Sequence, residues 1–186
     1  SDRAGINALI ETAGIAGKKI TSGNVSFTLV PRINAVGRLG FSGKSVSLLL
    51  TDDENEAMSI AKQLNEDNNE RKEIEKNILM KIDEMVKANP HITNDRVLVI
   101  DGEGWHQGVI GIVAAKVKEF FGKPTVIISR DGEEAKGSGR SVEGFSLCDA
   151  VFACSDLLTH CGGHHMAAGL SLKSKNIELF RQRINE

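Results

Sequence analysis

The spacing of apolar positions changes character twice along the chain. Residues 1 to about 50 are glycine-rich and mixed. Ile6 to Ile10 predicts a short helix before Ala13-Gly14, and Val25-Ser26-Phe27-Thr28-Leu29-Val30 alternates as a strand does, stopping at Pro31. From Asp52 to about Ala88 the period is helical. Ile60, Leu64, Arg71, Ile74, Ile78, Ile82 and Met85 recur at spacings of three, four and seven with charges between them. Asp52, Asp53 and Glu54 stand at the start, where a helix dipole favours acids, and Asn89-Pro90 ends the run. A helix of roughly 36 residues would extend on the order of 54 Å. That length and the narrow apolar stripe suit a strut between two bodies. A long coiled-coil dimer is the alternative, and Asn68 and Arg71 within the stripe weaken it.

Beyond Asp95 the pattern is α/β. Val97 to Ile100 reads as a buried strand. Val109 through Phe121 reads as a helix with Val109, Val113, Val117 and Phe120 on one face, and Pro124 to Ile128 is a second buried strand. Strand, helix, strand implies a parallel pair. Glu134 to Val142 reads as an exposed strand or hairpin arm, Phe145 to about Leu158 as a helix, Ala167 to Leu172 as a strand, and the stretch from Ser174 as a final helix. The expected fold is a mixed-sheet α/β domain.

Composition narrows the function classes. The 186 residues suffice for one domain and a substantial extra element, and no apolar run reaches the length needed to cross a bilayer. The amino terminus lacks a basic-then-apolar export signal. Cys148, Cys154 and Cys161 are an odd set in a chain too large to need staples, which points to a reducing, cytoplasmic compartment. A net charge of −2 argues against gripping nucleic acid by bulk charge, and eight aromatic residues, seven Phe and one Trp, are too few for a broad base-stacking platform. Contact with a polynucleotide would run through a few placed arginines.

Three motif imitations fall on their spacing. Gly43-Lys44-Ser45 lacks the glycine that a phosphate-cradling loop needs at position 38, which is Arg38. Gly102-Glu103-Gly104-Trp105-His106-Gln107-Gly108 follows a strand and opens a helix. Its third glycine is one residue late for a dinucleotide fingerprint, and Trp105 is bulky where a pyrophosphate should approach. His160, Cys161, His164 and His165 form one cluster without the second pair that a structural zinc site needs.

Other segments carry chemistry. In Cys161-Gly162-Gly163-His164-His165-Met166-Ala167-Ala168-Gly169, consecutive glycines can aim backbone N–H groups at one anion, and His164 can donate to a phosphate oxygen. A plain turn into a strand is the structural alternative. Gly137-Ser138-Gly139-Arg140-Ser141 sets an arginine among small residues and hydroxyls, as bidentate phosphate recognition requires, with an exposed hairpin as its alternative. Pro31-Arg32-Ile33-Asn34-Ala35-Val36-Gly37-Arg38 reads as a short loop with two arginines.

Taken in order, these segments, the long helix with Leu64-Asn65 and Asn69-Glu70-Arg71-Lys72, and Trp105-His106-Gln107-Gly108-Val109-Ile110-Gly111-Ile112 resemble the RecJ exonuclease family over essentially the whole chain. The Gly-Gly-His and Ser-Gly-Arg-Ser elements are shared across the wider DHH phosphodiesterase superfamily. The resemblance implies that residues 1–50 are the tail of a catalytic DHH domain, 51–90 a long connecting helix, and 91–186 a DHH-associated substrate-binding domain. It implies 5′→3′ exonuclease action on single-stranded DNA in recombination and repair, with Mn2+ or Mg2+ held by aspartates and histidines of the amino-terminal DHH domain. Arg38, Ser138 and Arg140 match positions expected to hold the 5′-terminal phosphate. His164, as the catalytic candidate, with Gly162 and Gly163 matches the motif that approaches the substrate phosphate near the metals.

No Asp-His-His occurs in the chain, so no metal ligand is assigned within it, and it reads as a fragment that hydrolyses nothing alone. Its expected partners are single-stranded DNA and its own DHH domain. A single-strand-binding protein or helicase would fit the role, and the residues identify neither. Three alternatives stand beside this reading: an oligoribonuclease or cyclic-dinucleotide phosphodiesterase of the same superfamily, a non-catalytic single-strand-binding module, and an appendage of alanyl-tRNA synthetase type.

Overall fold

The computed structural model describes residues 3–40 and 43–186. The chain forms two compact units, Ser1–Glu73 and Ile74–Glu186.

The described part of the first unit is helical. Helix α1 (Ala4–Thr12) takes in the short helix expected at Ile6 to Ile10. The segment expected as a strand is instead the turn α2 (Ser22–Asn24), a π-helical stretch over Val25–Leu29, and then α3 (Val30–Leu39). Over six residues, alternation with a period of two does not separate strand from helix. Here Phe27 is 85% exposed while Leu29 is buried. Pro31 lies just beyond the π-helical stretch, inside a helical run continuous from Ser22 to Leu39, so the hydrogen-bond pattern changes where the proline lacks an N–H. The Pro-Arg-Ile-Asn-Ala-Val-Gly-Arg segment is therefore a helix and not a loop. Gly43-Lys44-Ser45 opens another helix, α4 (Gly43–Leu50), and the Ser45 hydroxyl donates to the Ile33 carbonyl at 2.7 Å. Leu9, Val36, Leu48, Ala57, Ala61 and Leu64 fill the core of this unit.

The long helix is α5 (Glu54–Ala88). Asp53 caps it: its carboxylate accepts the N–H groups of Asn55 and Glu56 at 2.8 and 2.9 Å. Its apolar stripe belongs to two cores. Ala57, Ala61 and Leu64 pack in the first unit, and Ile78 and Ile82 in the second. The polar interruptions are buried too: Arg71 donates to the Asn68 side-chain oxygen at 3.1 Å, and Glu75 pairs with Lys116.

In the second unit, five strands run in the order β1-β2-β3-β5-β4: β1 (Leu98–Glu103), β2 (Thr125–Asp131), β3 (Glu134–Arg140), β4 (Leu158–His164) and β5 (Ala167–Lys173). The β1–β2 pair is parallel through α6 (Ile110–Phe121), as the strand–helix–strand pattern requires, and the other pairings are antiparallel. The sheet is mixed, as expected. Strand β3 is its central strand and not an exposed arm. Gly137 and Gly139 face the core, where added Cβ atoms would lie 2.9 Å from Leu170 and 2.5 Å from Leu147, so packing that needs no side chain hides the burial from a hydropathy pattern. Phe120 leaves the face expected of it: it is 82% exposed, and Phe121 packs inward instead. The helix expected from Phe145 to Leu158 is only α7 (Leu147–Phe152), followed by a 3-10 turn (Ser155–Leu157). The final helix is likewise shorter, α8 (Ile177–Arg183), after a 3-10 turn at Ser174–Asn176.

Each sheet face has its own cover. One packs Val97, Val99, Val126, Ile128, Leu170 and Leu172 against Leu147, Val151 and Phe180 of α7 and α8. The other packs Leu98, Ile100 and Ile127 against α6 and the Ile74–Val86 stretch of α5. The outer edge of β1 is closed by side chains: the Asn185 amide pairs with both the N–H and the C=O of Val97, and Arg181 donates to the Val99 carbonyl. Cys148 and Cys154 are buried free thiols, and burial pushes the Cys154 thiol pKa up. Among the described residues no helix is long and apolar enough to cross a membrane.

The indole of Trp105 occupies the space over Gly102, where a Cβ would lie 2.1 Å from the ring, and the Ser129 hydroxyl donates to the Trp105 carbonyl. The ring fills the approach that a dinucleotide pyrophosphate would use. Gly102→Ala is therefore expected to cost about 1–3 kcal/mol of stability through overpacking. Urea unfolding measures this, and an unchanged midpoint would contradict the packing of Trp105.

Candidate functional site

Strand register assembles the site. On the α6 side of the sheet, paired residues form cross-strand rows. Arg140 pairs with Ala167 and Ala167 with His164. Ser138 pairs with Gly169 and Gly169 with Gly162. Lys136 pairs with Ser171 and Ser171 with His160. Successive rows lie two residues apart along each strand, roughly 6.7 Å. Helix α6 covers β2 and β3 and leaves the β5 and β4 half of this face open, so Gly169 is exposed although it lies on an interior strand. The result is a shallow trough floored by glycine and alanine and edged by Arg140, Lys136 and two histidines.

Ser138 and Arg140 act as one group. The Arg140 guanidinium folds back along the strand and donates through Nη1 to Ser138 Oγ at 3.2 Å and to the Gly139 carbonyl at 2.7 Å. Both lie under the first turn of α6, where Gly111 makes room: a Cβ there would be 3.0 Å from Arg140 Nη2 and 3.0 Å from Ser138 Oγ. The amino-terminal end of α6 adds positive potential at the same place. Ser141, the last residue of that motif, is structural: it is buried, and its hydroxyl donates to the Phe145 carbonyl at 2.7 Å.

Gly162 and Gly163 do not form a nest. They continue strand β4, opposite Gly169 and Ala168, so their N–H groups do not converge as a turn would make them. Their reasons for being glycine differ. Gly163 has φ +151, and its Cβ would fall 2.2 Å from the Ala167 carbonyl oxygen, so the fold itself needs it. A Cβ on Gly162 would meet nothing within 4 Å, and one on Gly169 only the Gly162 oxygen at 4.0 Å. The fold leaves both positions room for a methyl group, and their smallness keeps the trough floor bare.

His164 is exposed in the row of Arg140. Its Nδ1 accepts the Met166 N–H at 3.3 Å, which in the neutral ring leaves the proton on Nε2 as an outward donor. His106 follows the same pattern, accepting the Gly108 N–H at 3.1 Å. The β4–β5 turn is tied down by Ser141 N–H to the Met166 carbonyl and Leu147 N–H to the His165 carbonyl.

Of the residues singled out by sequence, the second unit thus brings Ser138, Arg140, Gly162, Gly163 and His164 onto β3 and β4, the two strands that flank β5. Arg38 lies in the other unit, exposed in the last turn of α3. Its neighbour Arg32 is structural: it donates to the Thr28 carbonyl at 2.6 Å and to the Asn65 side chain at 3.1 Å, and partial burial lowers its pKa. Sequence reasoning missed Lys136 and considered His160 only as a metal ligand. Alternation along β3 carries the missed signal, because Lys136 shares a face with Ser138 and Arg140. Among the described residues no three His, Cys, Asp or Glu side chains gather as a metal site, so the residues present do not fit a divalent-ion centre.

A sequence profile for the DHHA1 domain matches residues 94–186. The chain belongs to the DHHA1-domain family. The similarity extends beyond that half. Over its whole length the chain is 36% identical to the single-stranded-DNA-specific exonuclease RecJ of Bacillus subtilis, covering 24% of that protein. It is 37% identical to the RecJ of Escherichia coli over 99% of the chain and 33% of that protein. The crystal structure of RecJ in complex with Mn2+ from Thermus thermophilus superposes on all of the chain with a TM-score of 0.87 at 32% identity, over 27% of the solved chain. The DHHA1 chain thus spans about a quarter to a third of the length of these relatives.

The two classes of glycine separate by mutation. Gly162→Ala and Gly169→Ala should leave stability within about 1 kcal/mol of the parent, whereas Gly163→Ala should lose about 1–3 kcal/mol or more. Thermal unfolding of the three variants checks this, and equal losses would contradict the assignment.

Proposed function

We propose that this DHHA1 chain is the strand-holding portion of a 5′→3′ single-stranded-DNA exonuclease acting in DNA recombination and repair. In this reading it works with a catalytic DHH domain of the same polypeptide that supplies Mn2+ or Mg2+ and hydrolyses the phosphodiester. The observation that carries the reading is the trough itself, with a guanidinium, a hydroxyl and an outward-donating imidazole placed by register around a floor without side chains. Whole-length similarity to proteins named as single-stranded-DNA-specific exonucleases supports it.

The chemistry follows from the donors. Arg140 and Ser138 present a planar fork and a hydroxyl to the phosphate at the strand's 5′ end. His164, across β5 on β4 in the same row as Arg140, offers Nε2–H to the phosphate that reacts, where negative charge grows as the bond to phosphorus is attacked. The bare floor at Gly162 and Gly169 lets the sugar–phosphate backbone lie against the sheet. Arg38, exposed on α3 of the other unit, is assigned to the terminal phosphate by the family resemblance alone. A charge of −2 on the whole chain and the scarcity of aromatic residues leave affinity to these few contacts, so binding by the isolated chain is weak and sequence-independent.

Fluorescence anisotropy with a 5′-phosphorylated oligothymidylate tests the reading. Arg140→Ala is expected to weaken binding by about tenfold or more, the worth of a charged hydrogen bond. Unchanged affinity would remove Arg140 from the strand site. In the enzyme joined to its DHH domain, His164→Ala should reduce turnover by on the order of 100-fold while changing strand affinity much less. Normal turnover with poor binding would make His164 a positioning residue instead.

A further inference from the structure

Strand β1 is the outermost strand on the side of the sheet away from the trough. Leu98 turns its N–H inward to the Pro124 carbonyl at 2.8 Å, which leaves Val97 and Val99 to face outward. Two side chains of α8 and its end meet them. Asn185 Oδ1 accepts the Val97 N–H at 2.9 Å, and its Nδ2 donates to the Val97 carbonyl at 3.1 Å. One side-chain amide thus makes both bonds that a peptide group of a neighbouring strand would make. Four residues earlier, on the same face of the helix, Arg181 donates through Nε to the Val99 carbonyl at 3.0 Å.

Both side chains are held in place. Asn185 Nδ2 also donates to the Arg181 carbonyl at 2.9 Å. The Arg181 guanidinium donates through Nη2 to Asp101 Oδ1 at 2.6 Å and pairs with Glu178 through Nη1, while Arg130 Nε holds the other Asp101 oxygen at 2.9 Å. Ile177, Phe180 and Ile184 are buried and fix the helix that carries them. A cavity of about 340 Å³ lies against β1 at Val99 and Ile100, lined among others by His91, Ile92, Glu178 and Arg181. There is room for polypeptide beside Val99, and a guanidinium stands where a strand would enter.

The sequence of β1 and its approach makes an open edge hazardous. Val97-Leu98-Val99-Ile100 is a run of β-branched and aliphatic residues without a charge or a proline, the kind of segment that pairs with its own copy. We propose that Arg181 and Asn185 are an edge guard, which takes up the outward hydrogen-bonding positions of β1 as another strand would and so keeps this chain from joining a second copy of itself, β1 to β1. A second copy is the partner that always presents a matching edge, because a two-fold interface needs only one surface complementary to itself. The amide satisfies the outward groups, and the guanidinium adds a charge that an incoming strand would have to strip from Asp101. The guarded edge lies apart from the trough, so its test does not depend on the proposed function.

Sedimentation velocity over a range of concentrations, with amide hydrogen exchange on the same samples, compares the 186-residue chain with Arg181→Ala, Asn185→Ala and the double variant. The parent is expected to stay monomeric. The double variant should retain its circular dichroism and form a dimer that dissociates on dilution, with self-association strengthened by about tenfold or more over the parent. The Val97 and Val99 amides should then exchange more slowly in the concentrated sample than in the dilute one. In Arg181→Lys the charge at the edge remains, and the chain should stay monomeric. A folded double variant that is monomeric throughout, a dimer that leaves Val97 and Val99 unprotected, or a parent that already pairs through β1 overturns the proposal. If the double variant loses its native circular dichroism, Asn185→Ala decides: concentration-dependent protection of Val97 upholds the guard, and its absence overturns it.

Discussion

The register of β5 against β3 and β4 fixes every neighbour relation at the site. Residues of alternate parity on these strands answer to different demands. Ala135, Ala168, Leu170 and Leu172 must face the core beneath α7 and α8, and this leaves Lys136, Ser138, Arg140, Gly169, Gly162 and His164 on the opposite side. A slip of one residue would put the guanidinium and the hydroxyl into the apolar layer and the leucines into water. The hydrophobic face thus acts as the ruler by which the polar face is measured, and stability and placement of the site share one cause.

The second constraint is incomplete cover. One helix, α6, protects the β2 and β3 half of the polar face, and the β5 and β4 half has no counterpart within the unit. An interior strand with an exposed glycine is the mark of that omission. Elsewhere, small residues on this sheet are demanded by packing, as at Gly137 and Gly139 under Leu170 and Leu147. Packing makes no such demand at Gly162 and Gly169, and the proposed strand site is what would give their smallness a reason.

Much of this was legible in the sequence, and the exceptions share physical causes. The long helix, the parallel β1–α6–β2 pair and strand β5 are long or strongly patterned, and hydropathy finds them. The Val25 to Val30 segment misleads because a short alternating run carries little information about period, and a proline follows a π-helical turn as readily as it ends a strand. Strand β3 reads as an exposed arm because its buried positions are Ala135, Gly137 and Gly139, small residues that leave little hydropathy trace. The Gly-Gly pair reads as a nest because local sequence does not reveal a strand partner such as Ala168. Motif order singles out Ser138, Arg140 and His164, whereas the position of Lys136 on the same face emerges only from the strand register of β3.

Backbone amide NMR of the chain titrated with a 5′-phosphorylated oligothymidylate tests the central claim most directly, because it reports which face of the sheet meets the strand. The account predicts that the largest shifts fall on Gln107 to Gly111, Lys136 to Arg140, His160 to His164 and Ala167 to Ser171, with α7 and α8 little affected. Shifts concentrated on α7 and α8, with those strand segments silent, would contradict it.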